Sequence, residues 1–353
     1  MRPQPSARRR SRKLASPEPR RLGSNENPFP PLHGVLAAVI QAAERVNRYP
    51  DPRHTVLLEA LSDHLDLPSS HVVVGPGSVD LLHRLIRLVS GPGDEVVTAW
   101  RSYDGHLAAI AAAGANPVQV PLTEEGGPDL PAMAAVCTER TKAILVCSPH
   151  NPTGTVAHAA ELETFLDAVG PGTLIVVDEA YRDFVCGAAP DGLAMFANRS
   201  ALCLVRTFSK GYGLAGLRVG YVVARPPLAQ RLRDACIPYS VSQMAQDAAV
   251  ESLRQESAMR IRVQAVVDER ERMWSALTGQ GWAVPPSQAN FLWIPLGGLT
   301  DRFSEYCRAA GVGVKVFPGE GARVTVADRS SNELVLGVAE RLVRHAPNRS
   351  VMK

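Results

Sequence analysis

The chain has 353 residues, 45% of them hydrophobic, enough to bury a sizeable core in one large domain with a smaller companion. Its net charge of +3 is uneven: residues 1–21 carry eight Arg or Lys against one Glu, which leaves 30 basic and 34 acidic residues in the remainder. No apolar run reaches the roughly 18 residues that cross a bilayer, and the N-terminus lacks the apolar stretch of a signal peptide. The six cysteines (Cys137, Cys147, Cys186, Cys203, Cys236 and Cys307) form no Cys-x-x-Cys pair and no His/Cys cluster at metal-ligand spacing. A cytoplasmic protein with reduced core cysteines, no membrane anchor and no metal is expected.

In chain order, residues 1–21 come first, with Arg8, Arg9, Arg10, Arg12 and Lys13 set among four prolines. They predict a disordered, solvated basic arm, with contact to nucleic acid the less favoured use of it. Strand-like runs then alternate with helical patterns: 72–74, 95–98, 117–120, 143–147, 174–178, 201–205 and 218–223, with helices such as 79–89 and 159–169 between them. That rhythm predicts an α/β domain on a mainly parallel sheet, with ligands at the carboxyl ends of its strands. From 226 to 277 the pattern is helical, and runs at 289–294, 313–316 and 323–326 supply strands of a second, smaller α+β domain.

The segments that follow the strands carry the chemistry. Gly75-Pro76-Gly77-Ser78 joins the first run to a helix starting near Val79, so free backbone N–H groups form an anion cup. Tyr103, shortly after the second run, is able to lie flat on an aromatic ring. Ser148-Pro149-His150-Asn151-Pro152-Thr153-Gly154 is a stiff loop that leaves the Asn151 amide free to donate to a phenolate. Asp178 ends a buried strand, with Tyr181 three residues on; a buried carboxylate needs a cationic or protonated partner, which a pyridinium nitrogen supplies. Taken singly, each has a plain structural use as well: a turn with Ser78 as N-cap, packing for Tyr103, an Asx-turn at Asn151, a helix cap at Asp178.

Lys210 follows in the run Thr207-Phe208-Ser209-Lys210-Gly211-Tyr212-Gly213-Leu214-Ala215-Gly216-Leu217-Arg218. Its glycines allow backbone to pass close to a bulky ligand, and Arg218 suits a phosphate, so a Schiff-base lysine beside a phosphate anchor is expected. Gly211-x-Gly213-x-x-Gly216 also matches the dinucleotide fingerprint, but residues 217–224 are β-rich where that motif requires a helix. Phosphate cup, ring stacker, phenolate donor, pyridinium partner, amine and second phosphate anchor together describe pyridoxal 5′-phosphate.

The motifs Asn25-Glu26-Asn27-Pro28, Arg48-Tyr49-Pro50-Asp51, Ser148 to Gly154, Asp178-Glu179-Ala180-Tyr181, Ser209-Lys210 with Ala215-Gly216-Leu217-Arg218, and Arg323-Val324-Thr325-Val326 occur in this order. Over about residues 22–343 the chain resembles the fold-type-I pyridoxal-phosphate enzymes, class I/II aminotransferases, and within them the histidinol-phosphate aminotransferase group. The resemblance implies a three-layer α/β/α large domain on a seven-stranded sheet. It divides the chain into the arm (1–21), a segment serving the small domain and dimer (22–50), the large cofactor domain (51–260) and the small domain (261–353). Lys210 would carry the internal aldimine and act as base, Asp178 would bind the pyridine nitrogen, Tyr181 and Asn151 the phenolic oxygen, and Tyr103 would stack on the ring. The phosphate would be held by backbone at Gly77, Ser78 and Val79, by Thr207, Ser209 and Arg218, and by Tyr49 from a second subunit, which requires a homodimer. Arg323 would grip the substrate carboxylate, with Asn25 and Asn151 beside it.

The implied reaction moves an amino group between an amino acid or amino alcohol phosphate and a 2-oxo acid. Departures from the family pattern fall at Val79-Asp80, at His150 for a common Asn and at Trp100-Arg101-Ser102, where they are expected to change the pocket wall. Lys315 stands where histidinol-phosphate enzymes commonly carry an arginine; it loses the bidentate fork toward phosphate, which shifts the expected substrate toward an aromatic or other bulky amino acid. Two alternatives are a related reaction on the same cofactor (a phosphothreonine-type decarboxylase, an oxidase or a cyclase) and a non-catalytic scaffold whose arm binds nucleic acid.

Overall fold

The computed structural model describes residues 20–187 and 192–344. Its strands are β1 (Arg20–Leu22), β2 (Val72–Gly75), β3 (Glu95–Trp100), β4 (Asn116–Pro121), β5 (Thr141–Cys147), β6 (Leu174–Asp178), β7 (Leu202–Thr207), β8 (Gly220–Val223), β9 (Phe291–Pro295), β10 (Val312–Phe317) and β11 (Gly321–Thr325). Seven of them form one sheet in the order β2-β8-β7-β6-β5-β3-β4, parallel except for β8, which runs antiparallel to both its neighbours. The mainly parallel seven-stranded sheet expected from the sequence is therefore present. Its antiparallel member is the strand that follows the glycine-rich segment 211–216, where the dinucleotide motif would need a helix.

The near-continuous apolar character of β5, β6 and β7 arises because both faces of this sheet are covered. On one face Ile144, Val146, Val177 and Leu204 pack with Leu57 and Leu61 of the helix Thr55–Leu65 and with Ala245 and Ala249 of the helix Gln243–Arg254. On the other, Ala143, Leu145, Val176 and Cys203 meet Leu81, Leu82 and Leu85 of the helix Ser78–Val89 and Leu232 of the helix Pro226–Ala235. The result is three layers, with every strand end of the parallel core opening in the same direction.

A four-stranded sheet, β1-β10-β11-β9, carries a separate core built on Phe291, Leu292, Val324 and Trp282 and covered by the helices Glu256–Gly279 and Arg329–Arg344. Two details differ from the sequence expectations. Arg20 and Arg21, counted with the arm, belong to β1 and pair parallel with Val312 and Gly313; residues 1–19 lie outside the described residues. The division at 260/261 falls inside the single helix Glu256–Gly279, which links the two cores. Among the described residues no helix is long and apolar enough to cross a membrane, and no cluster of His, Cys, Asp or Glu suits a metal ion. The six cysteines are unpaired; Cys147, Cys203 and Cys307 are buried as expected, whereas Cys186 is exposed.

Candidate active site

The carboxyl ends of β2, β3, β5, β6 and β7 and the segment Gly23–Asn25 enclose a cleft of about 460 Å³, closed from the small domain by Lys315, Phe317 and Arg323. Register explains the convergence. Asp178 is the last residue of β6 and lies opposite Cys147, the last residue of β5, so the loop from Ser148 to Gly154 begins beside the carboxylate. The Ser148 N–H donates to the Asp178 carbonyl at 3.0 Å, and Asp178 in turn is level with Val205 on β7, two residues before Thr207.

Lys210 Nζ points into this cleft and donates to the carbonyls of Ser24 and Asn25, both at 3.1 Å. Burial, reinforced by the Arg323 guanidinium, pulls its pKa from 10.5 down to about 8; Glu26 opposes this, Arg218 adds to it and Asp178 opposes it. An amine with so weak a hold on its proton is suited to nucleophilic and base chemistry near neutral pH. The loop is fixed from outside by Asn27, whose Nδ2 donates to the carbonyls of Lys210 and Gly211, each at 3.0 Å.

Opposite the amine, four side chains form one hydrogen-bonded chain. Tyr181 Oη accepts from Asn25 Nδ2 at 3.0 Å and from Asn151 Nδ2 at 3.1 Å, while Asn151 Oδ1 accepts from Arg323 Nη1 at 2.6 Å. With two donors on its oxygen, the Tyr181 hydroxyl has only its own proton left to give, so it is oriented to donate to a third acceptor. Burial pushes its pKa up, which keeps the proton in place. Asn25 is held from behind by Thr325, whose hydroxyl accepts from the Asn25 N–H at 2.9 Å. Arg323 is 8% exposed, gives Nη2 to the Gly23 carbonyl at 2.5 Å and leaves its Nε buried without a partner.

At the β2 end, Gly77 has φ of 90° and begins the helix Ser78–Val89, whose first N–H groups are free. A Cβ on Gly77 would lie 2.5 Å from Arg218 Nη2, so glycine here lets the guanidinium lie against the helix start. Arg218 Nη1 also reaches Ser209 Oγ at 3.3 Å, and Ser209 Oγ accepts from Thr207 Oγ1 at 3.0 Å. Helix N-terminus, guanidinium and hydroxyls make an anion cradle.

Asp178 and Tyr103 complete the opposite wall, and here sequence reasoning missed a residue. His106 is 1% exposed; its Nε2 lies 3.3 Å from Asp178 Oδ2 and its Nδ1 lies 3.4 Å from Ser102 Oγ. Its ring meets that of Tyr103 edge-on, 5.7 Å between centroids. The signal was present in the spacing: three residues after Tyr103 on the helix Asp104–Ala113, His106 shares its face. Of the departures expected to change the pocket wall, Val79 and Ser102 do line the cleft. His150 does not; it is fully buried behind the loop, with Nδ1 on Thr153 Oγ1 at 2.8 Å, and burial pulls its pKa to about 3. Tyr49 lies outside this cleft, 83% exposed and packed on Tyr239 with ring centroids 4.8 Å apart.

The arrangement fits pyridoxal 5′-phosphate on its own terms: a free proton on Tyr181 for a phenolate, a glycine-floored cradle for a phosphate, a carboxylate at the strand end for a ring nitrogen, and a desolvated amine between them. Comparison with known proteins agrees. Residues 18–340 match the family model for aminotransferase class I and II. The chain is 50% identical to an aromatic amino acid aminotransferase of Streptomyces avermitilis over 93% of its own length and 91% of that protein's. It is also 50% identical to one of Streptomyces coelicolor, over 91% and 89%. Its fold superposes with a TM-score of 0.85 on histidinol-phosphate aminotransferase from Sinorhizobium meliloti in complex with pyridoxal-5′-phosphate, at 27% identity and over 93% of this chain and 91% of that one. The chain thus belongs to the class I and II aminotransferases, as an enzyme that uses pyridoxal 5′-phosphate to transfer amino groups.

Proposed function

We propose that the enzyme transfers the amino group of an aromatic amino acid to a 2-oxo acid, with Lys210 as cofactor anchor and base and Arg323 as the grip on the substrate carboxylate. The observation that carries this is the chain Arg323–Asn151–Tyr181 facing the Lys210 amine across one cleft. The names of the relatives at 50% identity favour aromatic substrates, and Tyr103 and Phe317 provide apolar walls for a ring.

When bound, the cofactor supplies a protonated ring that takes up charge developing at the substrate Cα. Asp178 would hold the proton on the ring nitrogen, with His106 and the Ala180 N–H keeping its two oxygens occupied and aligned. Tyr181 would give its proton to the phenolic oxygen, and Tyr103 would cover the ring face. The cradle at Gly77, Ser78, Val79, Thr207, Ser209 and Arg218 would hold the phosphate. Arg323 would orient the substrate so that its Cα–H faces Lys210, and Lys210 Nζ would take that proton and return it to the cofactor carbon on the other side of the substrate nitrogen.

A homodimer is part of the proposal. Leu36 and Ile40, one turn apart on the helix His33–Ala43, together with Val46, Ile237 and the packed pair Tyr49 and Tyr239, supply exposed apolar surface. A second copy covering it would bring Tyr49 to its neighbour's phosphate cradle. Sedimentation tests this directly: a monomer at micromolar concentration would overturn the shared site.

Substrate choice is tested by mixing the loaded enzyme with single amino acids and recording loss of the cofactor's visible absorbance. Phenylalanine, tyrosine or tryptophan is expected to give the highest kcat/KM. A higher value for histidinol phosphate, or carbon dioxide release in place of oxo-acid formation, would overturn the assignment.

A further inference from the structure

Lys315 and Arg323 are directly opposed in the antiparallel pair of β10 and β11, and both face the cleft. Two cations so placed would recognise two anionic groups at once, and side by side they repel each other. The molecule holds a third charge against them. Asp104, from the first turn of the helix Asp104–Ala113, lies 3.1 Å from Lys315 Nζ through Oδ2 and also lines the cleft. Its place at a helix N-terminus suits a negative charge, and that charge extends to Arg323: burial lowers the Arg323 pKa, while Tyr181 and Asp104 oppose the shift. The Lys315 ammonium meanwhile lies over the Phe317 ring, 5.6 Å from Nζ to the centroid.

We infer that the Asp104–Lys315 pair sets the charge selectivity of the side-chain pocket: it cancels the second cation, leaves Arg323 alone to bind one carboxylate per substrate, and presents an electrically neutral outer wall beside Phe317. This deepens the aromatic assignment by naming the residues that choose between an uncharged ring and an acidic side chain. Charge complementarity acts on the difference between two substrates, so the quantity to read is a ratio.

Three variants separate the possibilities: Asp104→Asn, Lys315→Met and the double variant. Each is loaded with cofactor, and its half-reaction is followed with L-phenylalanine and with L-glutamate; in parallel, calorimetry gives dissociation constants for 3-phenylpropanoate and glutarate. Unpairing one charge a few ångströms from a partly solvated ligand is expected to shift the acidic-to-aromatic ratio by about tenfold. Asp104→Asn raises the ratio, Lys315→Met lowers it, and the double variant returns to within about threefold of the parent. Opposite shifts of at least about threefold support the inference. Smaller shifts, or shifts in one direction, overturn it and leave the pair as a tie between the two domains. If phenylalanine is not turned over by the parent enzyme, the aromatic assignment fails, while the glutarate-to-phenylpropanoate binding ratio still decides the charge question.

Discussion

His106 Nε2 lies 3.3 Å from Asp178 Oδ2, with both side chains buried. The Asp178 carboxylate has its other oxygen on the Ala180 N–H at 3.1 Å, so the imidazole is its side-chain partner on the wall away from the amine.

Replacing His106 with Leu therefore strands a buried carboxylate oxygen, at a cost of about 1–3 kcal/mol. Weaker cofactor retention, by about tenfold in dissociation constant, and a lower melting temperature are expected. His106→Asn, which keeps a donor, should recover part of both. Unchanged cofactor affinity in His106→Leu would show that the imidazole only fills space.

Arg323→Lys keeps the charge but loses the planar fork that reaches Asn151 and Gly23 together. Loss of a bidentate charged contact predicts a rise in KM for the amino acid of roughly 10–100-fold with a smaller fall in kcat. Steady-state kinetics on phenylalanine checks the split; an equal loss in kcat alone would point away from ground-state carboxylate binding.

Lys210 gives a pH signature in the cofactor-free protein. Its folded pKa, about 8, lies below the ordinary 10.5, so between these values the unfolded chain binds more protons than the folded one. Stability contributed by this group therefore rises from pH 8 to pH 10.5 and is flat below pH 8, where both states are protonated. Urea denaturation across that window should show the parent gaining on Lys210→Met by roughly 2 kcal/mol. The same variant, once mixed with cofactor, should bind no covalent chromophore and lose activity by at least ~10³-fold.

Gly77→Ala introduces a Cβ 2.5 Å from Arg218 Nη2 at a backbone φ of 90°, which a side chain resists. Either the turn or the guanidinium must shift, and phosphate binding weakens with it. Fluorescence titration with pyridoxal 5′-phosphate should give a dissociation constant raised by more than about tenfold. Pyridoxal without its phosphate should bind parent and variant alike, since the loss is confined to the cradle.

The apolar runs that became β5, β6 and β7 were legible in the sequence because a parallel sheet covered on both faces writes itself as continuous Val, Ile and Leu. Glycine and proline loops at the ends of those runs were equally legible, and so was the placing of Lys210, Asp178 and Asn151 around one cleft at the strand ends. What the sequence could not carry was the distance between its own parts. Asn25 reaches Tyr181 over 156 positions and Arg323 reaches Asn151 over 172, and neither pairing leaves a local pattern. The sequence alone assigns His150 to the pocket wall, yet the fold turns it inward behind its loop. The neutralisation of Lys315 by Asp104, 211 positions away, was likewise decided only when the small domain packed across the strand ends. Composition and periodicity record which face of an element is buried, a local matter; which charges and hydroxyls meet across a cleft depends on packing between elements, and only the tertiary structure determines that.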